Sequence, residues 1–468
     1  MKSKTDFAYQ AVYRYLLRLV TESEATSSIK LPSLRQLARR LGVSISTVQS
    51  AYSLLEKEGR VCSVPKSGYY SVADQSSGDA QAWAQEDDPL LERLCRSSLR
   101  AGMYRLGHDE PTVVQKADDA LRAMERGTAR IYSAQGNDSA QPFGSHELRT
   151  ALAARYTHST EQDWHADEVF IGPDLPAMLD AVIEALSLRS TPVLVESPCA
   201  WSLLRRFQAY GIRIIEIPLD ALGCIDLTLL DQLLLEQRIT LALLSSVLNP
   251  VRGSVRPAGN TRSMAERLNR SGVWVLENDS HTDLLFAPQP VRLRDFIDPE
   301  RLITLGSFAK TLGPEAPYGY LLCRGGRIQW QRYFLLRAFE LSPLRQKAIA
   351  RLHSSGRFDV HLGDLVAALV RHMRDMTHAL DCHLGQTLRY DVPAGGSGIW
   401  AESRYPVDMR RATDSLLRER IVMMPGELFS TQGWYRQSLR ISFTFDRRYA
   451  IDPLLAALRE AFEQAVLP

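Results

Sequence analysis

The sequence predicts an α/β protein whose body is built on a largely parallel β-sheet and is preceded by a small helical domain with a β-hairpin. From about residue 165, seven short apolar runs alternate with amphipathic stretches. Two short helical patterns and a hairpin signal lie within residues 31–72. The 468 residues also exceed one ordinary domain. We therefore expect an N-terminal domain at 1–72, a linker at 73–90 and a body at 91–468.

The charge distribution separates the N-terminal domain from the rest of the chain. Apolar residues make up 45% of the chain and charged residues 24%, which is typical of a soluble globular protein. The formal net charge is only +2. Residues 1–72, however, hold 11 Lys and Arg against 5 Asp and Glu, whereas the next twenty residues hold six acids and no base. This pattern indicates separate functions for the two ends of the chain.

The cysteine pattern excludes two classes of site. The six cysteines are scattered and form no C-x-x-C pair, which argues against structural zinc and disulfides. We therefore expect no metal and a reduced, cytoplasmic location. No apolar run reaches membrane-spanning length, so we expect no membrane partner.

Two helices are predicted in the N-terminal domain, each with a polar cap. Their apolar positions recur at helical spacing: Leu34, Leu37, Ala38 and Leu41, then Val48, Ala51, Tyr52 and Leu55. Ser33 and Ser44 are expected to cap the two helices, and Gly42 to end the first. After Gly59, "RVCSV" and "YYSV" read as strands around the turn "PKSG".

This arrangement predicts a DNA-binding helix-turn-helix followed by a hairpin wing. The second helix begins with small and hydrogen-bonding side chains that can approach base edges, and the turn places a lysine near phosphate. The predicted DNA-binding residues are Ser33, Arg35, Ser44, Ser46, Thr47, Gln49 and Lys66. The alternative is a helical hairpin used only for packing.

The same stretch resembles the winged helix-turn-helix of the GntR family of transcriptional regulators. The resemblance lies in "LPSLRQLARRLGVSISTVQSAYSLLEKEG" and the wing "SGYY". The family motif usually has Arg after the Val-Ser of the second helix, where this chain has Ile45. We expect one phosphate contact to be absent and the operator preference to differ.

The acidic, Ser- and Gln-rich residues 73–90 then predict a flexible linker that avoids the bound DNA.

Polar residues follow the apolar runs of the body at the points where each predicted strand ends. The runs are "EVFIG", "PVLVES", "IRIIEIP", "TLALLSS", "GVWVLEND", "RLITLGS" and "YGYLLC". Sites in parallel sheets form at the carboxyl ends of the strands. We therefore expect a site that includes Asp174, Asn249, Asp279, Ser307 and Lys310.

Lys310 is unusual within the body. From Ala117 onward the chain uses Lys only at Lys310 and Lys347 and otherwise uses Arg. A lysine amine can lose its proton and attack a carbonyl, whereas a guanidinium effectively cannot. Lys310 is therefore a candidate for an imine with a carbonyl cofactor.

Residues 110–468 resemble a fold-type I aminotransferase, and the whole chain resembles a GntR-family regulator of the MocR type. The motifs are "IYSAQG", "GSHELR", "ESPCAW", "NPVRG", "ENDSH", "GSFAK", "PGELFS" and "LRISF". The resemblance implies pyridoxal 5′-phosphate held as a Schiff base on Lys310, with Asp279 on the pyridine nitrogen and Asn249 on the phenolic oxygen. It also implies that Arg440 binds an effector carboxylate. In "SLRISFTF", apolar and polar residues alternate, so a strand there would place Arg440 on the polar face, where its guanidinium can bind a carboxylate. This evidence is independent of the resemblance.

Several positions depart from the aminotransferase pattern, mostly around the phosphate. Pro173 and Asp174 stand in the phosphate-binding turn, Ala309 replaces a Ser, and Pro317 replaces an Arg. His281 stands in place of the usual Tyr, and Trp201 is the expected substitute for the ring-stacking aromatic. Ser307 and Lys310 are kept. We expect weakened cofactor affinity, or a different phosphate or carbonyl ligand.

Three functions remain open from the sequence. The first is a regulator that binds a double-stranded DNA operator and senses an amino acid or related amine through a pyridoxal-phosphate-binding body. The second is an active aminotransferase with an added DNA-binding domain. The third is a DNA-binding protein whose degenerate body serves only for dimerisation. The resemblance implies a homodimer in each case.

Overall fold

The computed structural model describes residues 4–22, 30–64, 67–71, 89–114, 118–132, 141–158, 163–288, 291–444 and 450–467. The chain divides into two compact units, Met1–Tyr104 and Arg105–Pro468. We call them the N-terminal unit and the C-terminal unit.

The N-terminal unit contains the predicted helix pair and hairpin, together with one helix on either side. Its elements are α1 (Lys4–Glu22), α2 (Leu34–Leu41), α3 (Ile45–Lys57), β1 (Val61–Val64), β2 (Gly68–Ser71) and α4 (Leu90–Ser98). A two-residue strand, β3 (Tyr104–Arg105), spans the boundary between the units.

The predicted caps of α2 and α3 are confirmed. The Ser33 hydroxyl accepts the N–H of Gln36, and the Gln36 side chain accepts the Ser33 N–H in return, so α2 begins with a capping box. Gly42 ends α2 in the left-handed conformation (φ 64°), which glycine adopts without a steric penalty. The Ser44 hydroxyl accepts the N–H of Thr47 at 3.1 Å and caps α3. These local bonds define the turn between the two helices.

A small apolar core holds the N-terminal unit together. Buried side chains from α1, α2, α3 and β1 form it: Val12, Leu16, Leu37, Val48, Tyr52, Leu55 and Val61 among them. The Tyr52 hydroxyl donates to the carbonyl of Pro32 at 2.6 Å, and its ring stacks on Tyr69 at 4.3 Å. The core therefore fastens the hairpin to the helix pair.

The predicted hairpin is present. β1 and β2 pair antiparallel from Val61 opposite Ser71 to Val64 opposite Gly68. The Leu31 N–H donates to the carbonyl of Tyr69 at 2.8 Å and extends this small sheet toward α2. Lys66, at the predicted turn, and the predicted linker up to residue 88 lie outside the described residues. The domain limits 1–72, 73–90 and 91–468 stay a prediction.

The C-terminal unit is a mixture of helices and strands. Its helices are α5 (Asp118–Tyr132), α6 (His146–Tyr156), α7 (Leu175–Ala185), α8 (Trp201–Ala209), α9 (Leu227–Glu236), α10 (Ala258–Ser271), α11 (Ala309–Leu312), α12 (Arg327–Arg337), α13 (Pro343–Ser354), α14 (Arg357–Leu384), α15 (Met409–Arg418) and α16 (Ile451–Gln464). Its strands after β3 are β4 (Val169–Gly172), β5 (Val193–Ser197), β6 (Ile214–Pro218), β7 (Leu241–Ser245), β8 (Trp274–Asn278), β9 (Leu302–Ser307), β10 (Gly319–Cys323), β11 (Leu388–Tyr390), β12 (Gly398–Ser403), β13 (Ile421–Val422), β14 (Met424–Pro425) and β15 (Ser438–Ser442).

The seven apolar runs predicted from the sequence form one seven-stranded sheet. Its strand order is β4-β10-β9-β8-β7-β5-β6. The pairs from β9 through β6 are parallel, whereas β10 is antiparallel to both β4 and β9. The prediction of a largely parallel sheet is confirmed, and the carboxyl ends of β5, β7, β8 and β9 share one edge.

Apolar clusters cover both faces of this sheet. Along β4, Phe170 belongs to one cluster with residues of α7, α8 and α12, whereas Val169 and Ile171 belong to another with residues of α6 and α13. Alternate side chains of a strand point to opposite faces, so burial on both sides explains why the strands read as continuous apolar runs. No helix within the described residues combines the length and apolarity needed to cross a membrane.

A second, antiparallel sheet carries Arg440. Its order is β11-β12-β15-β14. On β15, Leu439 and Ile441 are fully buried, as the alternation in the sequence predicts. Arg440 is also buried, with 3% of its surface exposed. Its guanidinium therefore requires partners inside the unit.

Buried ion pairs lie at the ends of the central strands. Arg256 forms a salt bridge with Glu196, the fourth residue of β5, and both side chains are at most 5% exposed. The Glu196 carboxylate also accepts hydrogen bonds from Ser245 and Asn249. Buried charge is stable only when it is paired and hydrogen-bonded, so this cluster constrains the ends of β5 and β7.

We expect Arg256→Met to destabilise the C-terminal unit by about 3–5 kcal/mol, because it leaves the Glu196 carboxylate buried without its cation. Urea unfolding followed by tryptophan fluorescence measures this, since every tryptophan except Trp83 lies after residue 104. The matched control is Arg205→Met on the exposed face of α8, which should change stability by no more than about 0.5 kcal/mol. Equal midpoints for the two variants would contradict this assignment.

Candidate functional site

The residues predicted to form the site do follow the ends of the central strands. Asp279 and His281 come after β8, Ser307 ends β9, and Lys310 lies in the short helix α11 directly behind it. Asn249 follows β7, and Asp174 precedes α7. Lys310 and His281 contact the same carboxylate. Asp279, Asn249 and Asp174 have other partners.

The common partner is the carboxylate of Asp109, which the sequence did not single out. The Lys310 ammonium lies 2.7 Å from Asp109 Oδ2 and donates to the Asp109 carbonyl at 2.5 Å. His281 Nε2 donates to Oδ2 at 3.0 Å. Arg440 lies 3.2 Å from Oδ1, which also accepts the Ser397 hydroxyl. Four side chains thus converge on one carboxylate.

Arg440 is held in position by residues at the start of the neighbouring strand β12 and by the segment that contains Asp109. Its guanidinium donates to the Ser397 hydroxyl at 2.9 Å and to the His108 carbonyl at 3.4 Å. It lies against the backbone of Gly398, where an added Cβ would be 2.7 Å from the central guanidinium carbon. Glycine at 398 therefore provides the space that Arg440 occupies.

The cations of this cluster keep Asp109 ionised. Burial alone would raise the pKa of Asp109, but Lys310, His281 and Arg440 together hold it well below its usual value. Burial lowers the pKa of His281, and the charges of Lys310 and Arg440 lower it further against the opposing effect of Asp109. Near pH 7 Asp109 is therefore a carboxylate and His281 a neutral imidazole.

Asp279 is paired with side chains of the unit itself. Arg294 lies 2.5 Å from Asp279 Oδ1, and the Tyr156 hydroxyl donates to Oδ2 at 2.6 Å. Burial would raise the pKa of Asp279, but Arg294 and Arg292 bring it below its usual value. Arg294 also pairs with Glu277 at 2.8 Å. The negative charge that would attract a protonated pyridine nitrogen is already neutralised by a guanidinium.

Asn249 has both of its amide hydrogens engaged. Its Nδ2 donates to Glu196 at 2.9 Å and to the Pro198 carbonyl at 3.1 Å, while its Oδ1 accepts the N–H groups of Val251 and Arg252. An amide nitrogen has two hydrogens to donate. To bind a phenolic oxygen, Asn249 would have to give up one of these bonds.

The expected phosphate position contains a carboxylate. Asp174 is the N-cap of α7, and its Oδ1 accepts the N–H of Ala177 at 2.7 Å. Pro173 and Pro176 supply no N–H in the same turn. The Ser307 hydroxyl accepts the N–H of Ala309 at 3.2 Å, and Trp201 begins α8 half-buried.

The residues present do not fit a pyridoxal phosphate group. Helix N-termini bind phosphate through free N–H groups and a positive end charge, but here Asp174 uses an N–H and adds a negative charge. At the other end of the site, Asp279 and Asn249 are bound by Arg294 and Glu196. We therefore derive no chemical step through this cofactor.

The residues of the candidate site that the sequence did not reveal are Asp109, Ser397, Tyr156 and Arg294. Asp109 lies 331 residues from Arg440 in the chain, and Tyr156 lies 123 residues from Asp279. Asp279 and Lys310 were selected because they follow the carboxyl ends of central strands. None of these four residues follows a central strand, so the same criterion could not identify them. The glycines in "AGGSG" around Ser397 were the available signal of close backbone packing.

The DNA-facing residues predicted in the N-terminal unit are mostly exposed. Arg35, Ser46 and Gln49 are exposed, as are Ser33 and Ser44, which also cap their helices. Thr47 differs, because its side chain is buried and its hydroxyl lies 2.7 Å from that of Ser44. Ile45, with 48% of its surface exposed, is an apolar residue at the start of α3.

Metal and disulfide chemistry have no candidate within the part of the chain that the structure describes. No group of three or more His, Cys, Asp or Glu side chains there has an arrangement that would hold a metal ion. All six cysteines are free thiols.

Comparison with known proteins matches nearly the whole chain to transcriptional regulators and its larger part to aminotransferases. Residues 8–70 match the bacterial regulatory proteins of the gntR family. Over 455 residues the chain is 26% identical to YdcR of Escherichia coli K12, an uncharacterized HTH-type transcriptional regulator, covering 92% of this chain and 93% of YdcR.

The remainder resembles aminotransferases. The chain is 27% identical over 290 residues to 2-aminoadipate transaminase of Thermus thermophilus, covering 60% of this chain and 72% of that enzyme. The crystal structure of the multiple substrate aminotransferase of Thermococcus profundus superposes with a TM-score of 0.71 at 17% identity, over 83% of this chain and 97% of that one. The C-terminal unit thus has the fold of the pyridoxal-phosphate-dependent aminotransferases. The chain therefore combines a GntR-type helix-turn-helix domain at residues 8–70 with an aminotransferase-like body, which is the MocR-type architecture.

Proposed function

We propose that this transcription regulator binds a double-stranded operator through α2, α3 and the hairpin, and that its C-terminal unit senses a small effector carrying a carboxylate, such as an amino acid. One observation carries the effector proposal: Lys310, His281, Ser397 and Arg440 all bind the same carboxylate, that of Asp109. A set of donors that binds one carboxylate this way is suited to bind another. Operator binding also implies a cytoplasmic location.

The DNA proposal rests on the exposed polar start of α3 next to a basic face of α2. Arg35, Arg39 and Arg40 are all exposed on α2. Such arginines bind phosphate and release counterions, whereas a helix start carrying Ser46 and Gln49 reads base edges. The exposed Ile45 adds an apolar side chain suited to a thymine methyl group.

For the full-length chain we expect Arg35→Ala to weaken binding to every DNA sequence and to reduce the salt dependence by about one unit of log–log slope. Lys66→Ala should act in the same way.

Gln49→Ala should instead change which sequences are selected from a random pool. Gln10→Ala, at an exposed position of α1, is the control and should leave both properties unchanged. If Gln49→Ala and Gln10→Ala select the same sequences, Gln49 does not read bases.

Pyridoxal phosphate on Lys310 is the second proposal, favoured by the lysine behind β9 in an aminotransferase fold. Its phosphate would meet the carboxylate of Asp174 at the start of α7. A strong cofactor site would require that charge to be removed or screened. The same contact speaks against an active aminotransferase, which depends on a firmly held cofactor.

We expect the unmodified chain to develop a borohydride-sensitive visible absorbance only at high pyridoxal phosphate concentrations, and Lys310→Ala to develop none. Asp174→Asn keeps the cap and removes the charge, so it should raise the apparent affinity about tenfold or more. The control is Asp226→Asn, the N-cap of α9, which should not change the affinity. Tight binding by the unmodified chain would refute our interpretation of Asp174.

We propose that two chains associate through their C-terminal units, so that two helix-turn-helix domains engage two half-sites. An effector then acts through its different affinities for the states that favour different half-site spacings. Sedimentation and footprinting on paired half-sites, with and without a panel of amino acids, test this. We expect a dimer and a footprint that changes with the effector but not in Arg440→Lys. A monomer, or a footprint that no compound alters, would favour a degenerate body.

A further inference from the structure

The carboxylate-binding cluster of the C-terminal unit already contains a carboxylate from its own chain. Lys310 and His281 bind Oδ2 of Asp109, at 2.7 and 3.0 Å. Arg440 and the Ser397 hydroxyl bind Oδ1. Each oxygen therefore has two donors, in the arrangement that a free carboxylate would need.

We propose that Asp109 is a built-in competitor, an internal carboxylate that occupies the effector subsite until a free carboxylate displaces it. This inference rests on the proposed effector site. It adds that Asp109 occupies that site when no ligand is bound. The ligand class is a small organic anion whose carboxylate takes the four donors now bound to Asp109.

Two of the donors lie on regular elements, whereas Asp109 lies on an irregular segment. Arg440 belongs to β15, and Lys310 to the helix that follows β9. The side chains of Arg440 and His281 are 3% and 6% exposed. Asp109 lies between β3 and the short 3-10 helix Pro111–Val114, and its side chain is 32% exposed. A shift of that segment would vacate the cluster without changing a central strand.

The cluster is stable only when a carboxylate occupies it. Removal of Asp109 without replacement would leave the buried Arg440 guanidinium and the Lys310 ammonium near each other with no anion, which is costly. The cluster therefore exchanges one carboxylate for another. Asp109 also pairs with the Lys310 amine at 2.7 Å, so the two must separate before that amine can react with a carbonyl.

Competition of this kind lowers the apparent affinity for the ligand. Only molecules in which Asp109 has moved out are competent to bind, so the apparent dissociation constant rises as their fraction falls. Removing the Asp109 charge should therefore tighten carboxylate binding without any new contact to the ligand.

The experiment uses the full-length chain and succinate as the probe, with sodium chloride at matched ionic strength as the control salt. Isothermal titration and thermal melting are measured for the unmodified chain, Asp109→Ala and Asp109→Asn. The matched control is Glu110→Ala, because Glu110 lies on the same segment but is exposed and pairs with His108 at 3.0 Å. We expect both Asp109 variants to bind succinate about tenfold tighter or more. Asp109→Ala should have a lowered Tm that succinate restores and chloride does not.

Equal succinate affinity in the unmodified chain, Asp109→Asn and Glu110→Ala would overturn the proposal. If Asp109→Ala folds only in succinate, that result supports it. If Asp109→Ala stays unfolded with succinate, the affinity of Asp109→Asn decides. Failure of the proposed function looks different: succinate would bind the Asp109 variants tightly, yet neither it nor any amino acid would change DNA affinity. That result would support the carboxylate subsite and contradict its proposed role in regulating DNA binding.

Discussion

A buried guanidinium must have an anionic partner, and in the C-terminal unit this requirement determines which carboxylates remain available. Three buried arginines have such partners: Arg256 pairs with Glu196, Arg294 with Glu277 and Asp279, and Arg440 with Asp109. The pairs of Arg256 and Arg440 join residues 60 and 331 positions apart, whereas Arg294 lies 17 positions from Glu277. Each pair lies among polar residues near strand ends. The ion pairs therefore specify how the loops around the predicted site are arranged, and they leave little free charge for a cofactor.

The same requirement explains how an aminotransferase fold can be kept while its usual site is changed. The sheet and its apolar clusters do not depend on the residues that hold a cofactor, because those residues lie beyond the strand ends. The resemblance assigns Asp279 and Asn249 to a cofactor, whereas in the structure Arg294 and Glu196 bind them. The sheet can thus be kept whatever the residues beyond its strand ends bind.

The sequence predicted the features that depend on local pattern. All seven strands of the large sheet were found because apolar runs report burial on both faces, and the caps at Ser33 and Ser44 follow from side chains that bind their own backbone. Lys310 was selected as a candidate from its chemistry, and it does lie directly after β9. The partner of Lys310 was not, since Asp109 lies 201 residues earlier and in no periodic segment. Local patterns carry no information about which distant charges a fold brings together.

The contact between Arg440 and the Gly398 backbone has a consequence for how this chain can vary. Any other residue at 398 would place a Cβ within 2.7–2.9 Å of three guanidinium atoms, so the end of the Arg440 side chain would have to move away from Ser397 and Asp109. A side chain at 398 would therefore disturb the cluster without contacting its carboxylate. The absence of a side chain at one position thus determines where the charge of another lies.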